Sequence, residues 1–224
     1  MFVGHYAAAL AAKKVSPRTS LGTLFLAAQF VDLLWPLLLI LGVEHVRIDP
    51  GNTAFTPLDF YDYPFSHSLV GALVWSALFG LLYYGFRRSA RGAAVVALCV
   101  ASHWVLDFLT HRPDLPLAFG EGMRFGAGLW NSIPATIAVE TLLFIAGLAL
   151  YLNATRHRDK TGLVGFWALA IVLYGIYIGN IVGPPPPDTG ALAVVGNASW
   201  LFVLWAYWVD RHREPVRAAG GTAP

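Results

Sequence analysis

His103, Asp107 and His111 stand four residues apart in the stretch ASHWVLDFLTH (101–111), which is otherwise largely apolar. On an α-helix a four-residue step turns a side chain by only about 40°, so the three form one stripe. Imidazole and carboxylate donors without thiolate suit zinc, with manganese, iron or cobalt as alternatives, and two ligands from one helix fit this spacing. Other ionisable residues lie in apolar surroundings: His5 in GHYAAALA (4–11), Asp32 in QFVDLLWP (29–36), His67 in YPFSHSL (63–69) and Glu140 in GLWNSIPATIAVE (128–140).

The elements that must position these groups are membrane helices. Of the 224 residues 57% are hydrophobic and only 12% charged, too few polar residues for a soluble domain of this size. Eight tryptophans suit belts at two lipid–water interfaces. Six stretches are long enough to cross about 30 Å of hydrocarbon: 21–41, 68–86, 92–109, 133–152, 163–182 and 191–209. The fold class is therefore all-α, a polytopic bundle of six spans. A shorter apolar segment, Met1–Ala12, precedes them and could half-span the bilayer, re-enter it or lie at its interface. Residues 1–213 form a single integral membrane domain without internal repeat or a pair of Gly/Pro-broken helices; 214–224 reads as a disordered tail. The lone Cys99 excludes a disulfide framework and a thiolate cluster.

Charge placement orients the bundle. Lys13, Lys14 and Arg18 precede the first span, and Arg87, Arg88 and Arg91 separate the second and third. Arg156, Arg158 and Lys160 separate the fourth and fifth, and Arg211, Arg213 and Arg217 follow the sixth. Only Arg47, Arg112 and Arg124 fall on the other side, so both basic ends are expected to be cytoplasmic. That spread of basic residues is explained by topology and marks no nucleic-acid surface. The opposite loops carry Glu44, His45, Asp49, Asp59, Asp62, Asp114 and Glu121, and the proline run GPPPPDTG (183–190).

At 1.5 Å per residue, Asp32 and His103 each lie about 16 Å from the basic end of their spans. Asp107 is one turn further out, and Glu140 is about 10 Å below the outer end of its span. His67 stands at the outer mouth of the second span. Ionisable groups from several segments thus fall between the midplane and the outer surface. One reading is polar glue between helices, worth about 0.6–2 kcal/mol per contact. Another is a divalent cation, which would neutralise Asp32 and Asp107 in a low-dielectric setting. An open coordination position would then make hydroxide available near neutral pH. Glu140 or Asp62 is a candidate general base, and Arg112 or Arg124 a candidate anchor for a phosphate or carboxylate. The alternatives are a proton- or cation-coupled transporter or channel using Asp32, Asp107 and Glu140, a histidine-rich oxygenase, or a non-catalytic metal-stabilised scaffold. His45, His157 and His212 read as solvated loop residues, and Asp210 and Glu214 as juxtamembrane charges without a role.

Taken in order, GHYAAALA, QFVDLLWP, YPFSHSL and SHWVLDFLTHR (102–112) resemble the motif series of bacterial inner-membrane metal-dependent hydrolases, the YdjM-like family. The resemblance covers residues 4–112, and GLWNSIPATIAVE resembles a membrane-protein subgroup of it. It implies His5, Asp32, His67, His103 and Asp107 as the metal-binding set, to which the helical stripe adds His111. It also implies a bacterial inner-membrane location and, by distant similarity to phospholipase C-type zinc phosphoesterases, a phosphoester or lipid-like substrate. Relatives carry a second Asp and a His beside the position of Asp32; here Leu33, Leu34 and Trp35 follow it. FYDYPF (60–65) likewise replaces a His-Arg pair. A second metal would need Asp59, Asp62, His111 or Glu140 as substitute ligands.

Overall fold

Short polar residues start the long helices. In a computed structural model that describes residues 1–120 and 122–216, Ser20, Ser68, Ser89, Ser132, Asp159 and Asp188 each accept a backbone N–H from the first turn that follows. This capping satisfies donors that hydrocarbon would leave orphaned. The helices are α1 (Val3–Val15), α2 (Leu21–Ile40), α3 (Pro64–His67), α4 (Leu69–Arg87), α5 (Ala90–Thr110), α6 (Ile133–Ala154), α7 (Lys160–Val182), α8 (Thr189–Asn197) and α9 (Trp200–Arg211). Among the described residues six segments are long and apolar enough to cross a membrane: α2, α4, α5, α6, α7, and α8 with α9 together.

The sixth segment departs from the continuous span expected over 191–209. It breaks at Ala198–Ser199, where the backbone closes tight i→i+3 hydrogen bonds. Gly196, Asn197 and Ser199 all have poor helix propensity, and Pro36 of α2 packs against Gly196. The loops also form three small antiparallel pairs: β1 (His45–Ile48) with β2 (Leu58–Asp62), β3 (Leu115–Pro116) with β4 (Arg124–Phe125), and β5 (Thr155–His157) with β6 (Arg213–Pro215). Glu214 and Pro215 are therefore ordered strand rather than the start of a disordered tail. Arg213 is buried beneath them, stacked on Tyr151 and Phe166 and donating to Thr155 and Gly162 carbonyls. Glu121, Arg217 and the rest of the tail to Pro224 lie outside the described residues.

The helix α1 is buried within the bundle. Thirteen residues make about 20 Å, too short to cross. Val3, His5, Tyr6, Ala9 and Leu10 are all fully buried, and α1 packs along α6, α2 and α5. Gly147 of α6 permits this approach: a Cβ there would stand 2.7 Å from the Ala7 carbonyl oxygen and 2.8 Å from its Cα. Gly147→Leu is expected to push α1 away, lowering stability by about 1–3 kcal/mol and loosening His5; thermal unfolding in detergent measures the first effect.

At the far end of α1, the buried Lys13 ammonium donates to Asp210 at 2.6 Å and to the Thr19 carbonyl at 2.9 Å. Asp210, read from sequence as a charge without a role, thus holds a buried cation. Breaking such a pair leaves a charge uncompensated, so Asp210→Ala is expected to destabilise the protein by about 3–5 kcal/mol, read as a lowered thermal midpoint. Arg156 and Arg158 pair with Glu214, and these side chains share a cavity with Arg18 and Arg91. All four basic segments named above therefore meet at one end of the bundle. The opposite end is closed by the β1–β2 hairpin and an aromatic cluster of Trp35, Phe60, Tyr63 and Trp130.

Candidate metal centre

Four elements carry five donors to one point near this second end. His103 and Asp107 lie one turn apart on α5 and face the interior, both almost fully buried. Asp32 comes from α2, His5 from the first turn of α1, and His67 from the single turn α3. That turn is separated from α4 by extended backbone at Ser68, so His67 is free of the α4 helical register. Two overlapping groups result, His5/His103/Asp107 and Asp32/His67/His103, each with ligand atoms within 4.8 Å of one another.

Asp107 lies between the three imidazoles. Its Oδ1 is 3.0 Å from His5 Nε2, and its Oδ2 is 3.1 Å from His103 Nε2 and 3.8 Å from His67 Nε2. Asp32 Oδ1 is 3.3 Å from His67 Nε2 and 3.6 Å from His103 Nε2. The His5 and His103 rings stack at 3.5 Å, nearly parallel. The Met1 amino nitrogen also contacts the Asp107 carboxylate.

Hydrogen bonds set which ring nitrogen is left to bind. A carbonyl can only accept, so His103 Nδ1–H donates to Ala28 O at 2.7 Å, leaving Nε2 between two carboxylates. That Nε2 has no hydrogen-bond partner among the described residues. His67 Nδ1 is 2.7 Å from Ser66 Oγ, whose own proton goes to Glu44 Oε2 at 2.6 Å. Ser66 therefore accepts from His67 Nδ1–H, and Nε2 is directed at Asp32 and the cluster. Glu44 is fixed by the backbone N–H groups of Phe65 and Ser66, at 2.7 and 2.8 Å. This is the outer shell that orients metal-ligating histidines elsewhere. Nitrogens and carboxylate oxygens at these distances are bridged either by a proton on Nε2 or by a cation, which this donor set could hold.

Both groups share His103, and the Nδ1 of that ring is spent on Ala28, so together they could hold one ion. The candidates for a second ion are engaged elsewhere. Asp59 pairs with Arg112, and Asp62 with His45 on the exposed hairpin. Glu140 Oε2 accepts the N–H groups of Phe2 and Gly4, at 2.8 and 3.2 Å, and so caps α1 at its electropositive end. His111 gives Nδ1–H to Asp114 Oδ1 at 2.9 Å and lies outside the two groups.

A cavity of about 590 Å³ adjoins the cluster, within the size range of ligand pockets. Asp32, His67, Asp107 and His111 line it, whereas Glu140, Asp62, Arg112 and Arg124 do not. Arg112 pairs with Asp59 and Asp114, and Arg124 donates to the Asp114 and Tyr61 carbonyls. Tyr63 also donates to Asp114, and Trp130 packs on His111 with ring centroids 4.2 Å apart. Burial lowers the His111 pKa below its ordinary value, although the Asp114 hydrogen bond opposes the shift, and burial raises that of the Tyr63 hydroxyl. His45 on β1 pairs with Asp62, His212 just after α9 pairs with Asp159, and His157 on β5 is exposed.

Glu44, Ser66, Asp114 and Gln29 were not singled out by the sequence reading. Ser66 adjoins a chosen histidine and Asp114 follows His111 by three residues, so both carried a local signal. Glu44 is 22 residues from Ser66 and carried none. No protein-family model, curated protein or solved structure matches this chain.

Proposed function

We propose that this chain is an integral membrane metal-dependent hydrolase acting on a phosphoester or lipid-like substrate. The observation that supports it is the convergence of His5, Asp32, His67, His103 and Asp107, with two imidazoles held through Nδ1 so that Nε2 faces the carboxylates. The donors fit one divalent cation of the zinc type: three imidazoles and two carboxylates, with the buried His103 Nε2 lacking a hydrogen-bond partner among the described residues. A bound ion of this kind supplies hydroxide near neutral pH and polarises a phosphoryl oxygen. His111, neutral and oriented by Asp114, lines the same cavity and is the group we assign to proton transfer there. Glu140 anchors α1, and through it His5, in place of the general-base role considered from sequence.

On this reading the basic end faces the cytoplasm of a bacterial inner membrane and the metal centre opens towards the other side. The resemblance to the YdjM-like hydrolases points the same way. The experiment is metal analysis of purified protein together with hydrolysis of bis(p-nitrophenyl) phosphate. About one ion per chain, lost with activity in His103→Ala, is the expected result. Metal-free wild-type protein of unchanged stability would overturn the proposal.

One observation favours a second reading. The broken sixth span contributes Ala198 and Ser199 to the cavity wall, and interrupted helices at such depth are a feature of transporters. Proton or cation flux in proteoliposomes, lost in Asp32→Asn, would support transport instead.

A further inference from the structure

The walls of the cavity differ sharply in character from one side to the other. Beyond Asp32, His67, Asp107 and His111 it is lined mainly by apolar side chains, including Trp35, Phe55, Ile176 and Phe202. Val195 and Ile176 belong to this wall and are 71% and 38% exposed. Both lie in segments long and apolar enough to cross a membrane, so this wall is within reach of lipid. A channel for a small hydrophilic substrate has no need of such a wall. An amphiphile matches both ends of it.

Building on the metal-centre reading, we propose that the ligand is a membrane lipid that enters sideways between α7 and the α8–α9 break. Its headgroup places an anionic oxygen at the His/Asp cluster, and its acyl chain lies along Ile176, Val195 and Phe202. Gln29 reinforces the polar end: it is buried, lines the cavity, and its side-chain nitrogen has no partner among the described residues. That nitrogen is a donor for a headgroup oxygen. Gly179 leaves the passage clear, because a Cβ there would meet nothing within 4 Å.

The test is photolabelling with a phosphatidic acid that carries a diazirine at the end of one acyl chain, in phosphatidylcholine nanodiscs. Adducts are mapped by mass spectrometry. Label on Ile176 and Phe202 is expected, lost in Gly179→Trp or Ala198→Trp and retained in Gly179→Ala. Excess inorganic phosphate should leave it unchanged; displacement by phosphate would mean that the site takes the free anion, and would overturn the lipid assignment. Label confined to outward-facing Leu201 and Leu204, the same with and without the occluding residue, would also overturn it. Metal content of each variant, measured in parallel, reports folding and tests the centre separately. Cavity labelling without hydrolysis would leave this inference standing and remove the hydrolase reading. Hydrolysis of bis(p-nitrophenyl) phosphate without cavity labelling would do the reverse.

Discussion

Asp107→Asn is expected to strip the centre of its ion and abolish hydrolysis. The substitution keeps shape but removes the carboxylate whose two oxygens lie within 3.0–3.8 Å of three imidazole Nε2 atoms. An amide presents one neutral oxygen and one N–H pair, and the latter would point at lone pairs. Metal content should fall from about one ion per chain to background. A ligand that binds only the folded state stabilises it by about 4 kcal/mol at a thousandfold excess over its Kd. Added zinc should therefore raise the thermal midpoint of the wild type and leave that of Asp107→Asn unmoved. Equal metal retention in both proteins would remove Asp107 from the centre.

Glu44→Gln should weaken metal binding by about 10–100-fold although no ligand is changed. In the wild type, Glu44 takes the Ser66 proton and Ser66 accepts from His67 Nδ1, so Nε2 is the nitrogen that can offer a lone pair to a metal. When the introduced amide keeps the Phe65 and Ser66 N–H bonds through its carbonyl, its nitrogen faces Ser66 Oγ. Ser66 then donates to His67 Nδ1, and the ring must carry its proton on Nε2, where the metal should bind. Ser66→Ala should give a similar loss by breaking the chain. Competition against a chelator of known affinity measures both. Unchanged affinity in Glu44→Gln, with Ser66→Ala impaired, would show that Ser66 acts through packing and not through the tautomer.

Local pattern made much of this legible. The hydropathy of each span and the basic residues at its end are properties of short windows, and the helices begin and end within a few residues of the expected limits. The pair His103 and Asp107 was equally open to reading, because helical periodicity alone puts them on one face. His67 was harder. Its direction depends on a one-turn helix and a bend at Ser68, and its tautomer on a glutamate in a different loop.

By itself the sequence determined a membrane helical bundle, the ends of its helices and the helix-borne pair of ligands, since these follow from composition and periodicity within a turn or two. Only the tertiary structure decided that α1 is buried in the bundle, that the sixth span breaks beside the cavity, and that Glu140 caps α1. The physical reason is that polar groups inside a bilayer must be satisfied by partners from other helices. Which partners they find is set by close approaches such as Gly147 on Ala7, where no window of sequence carries the information.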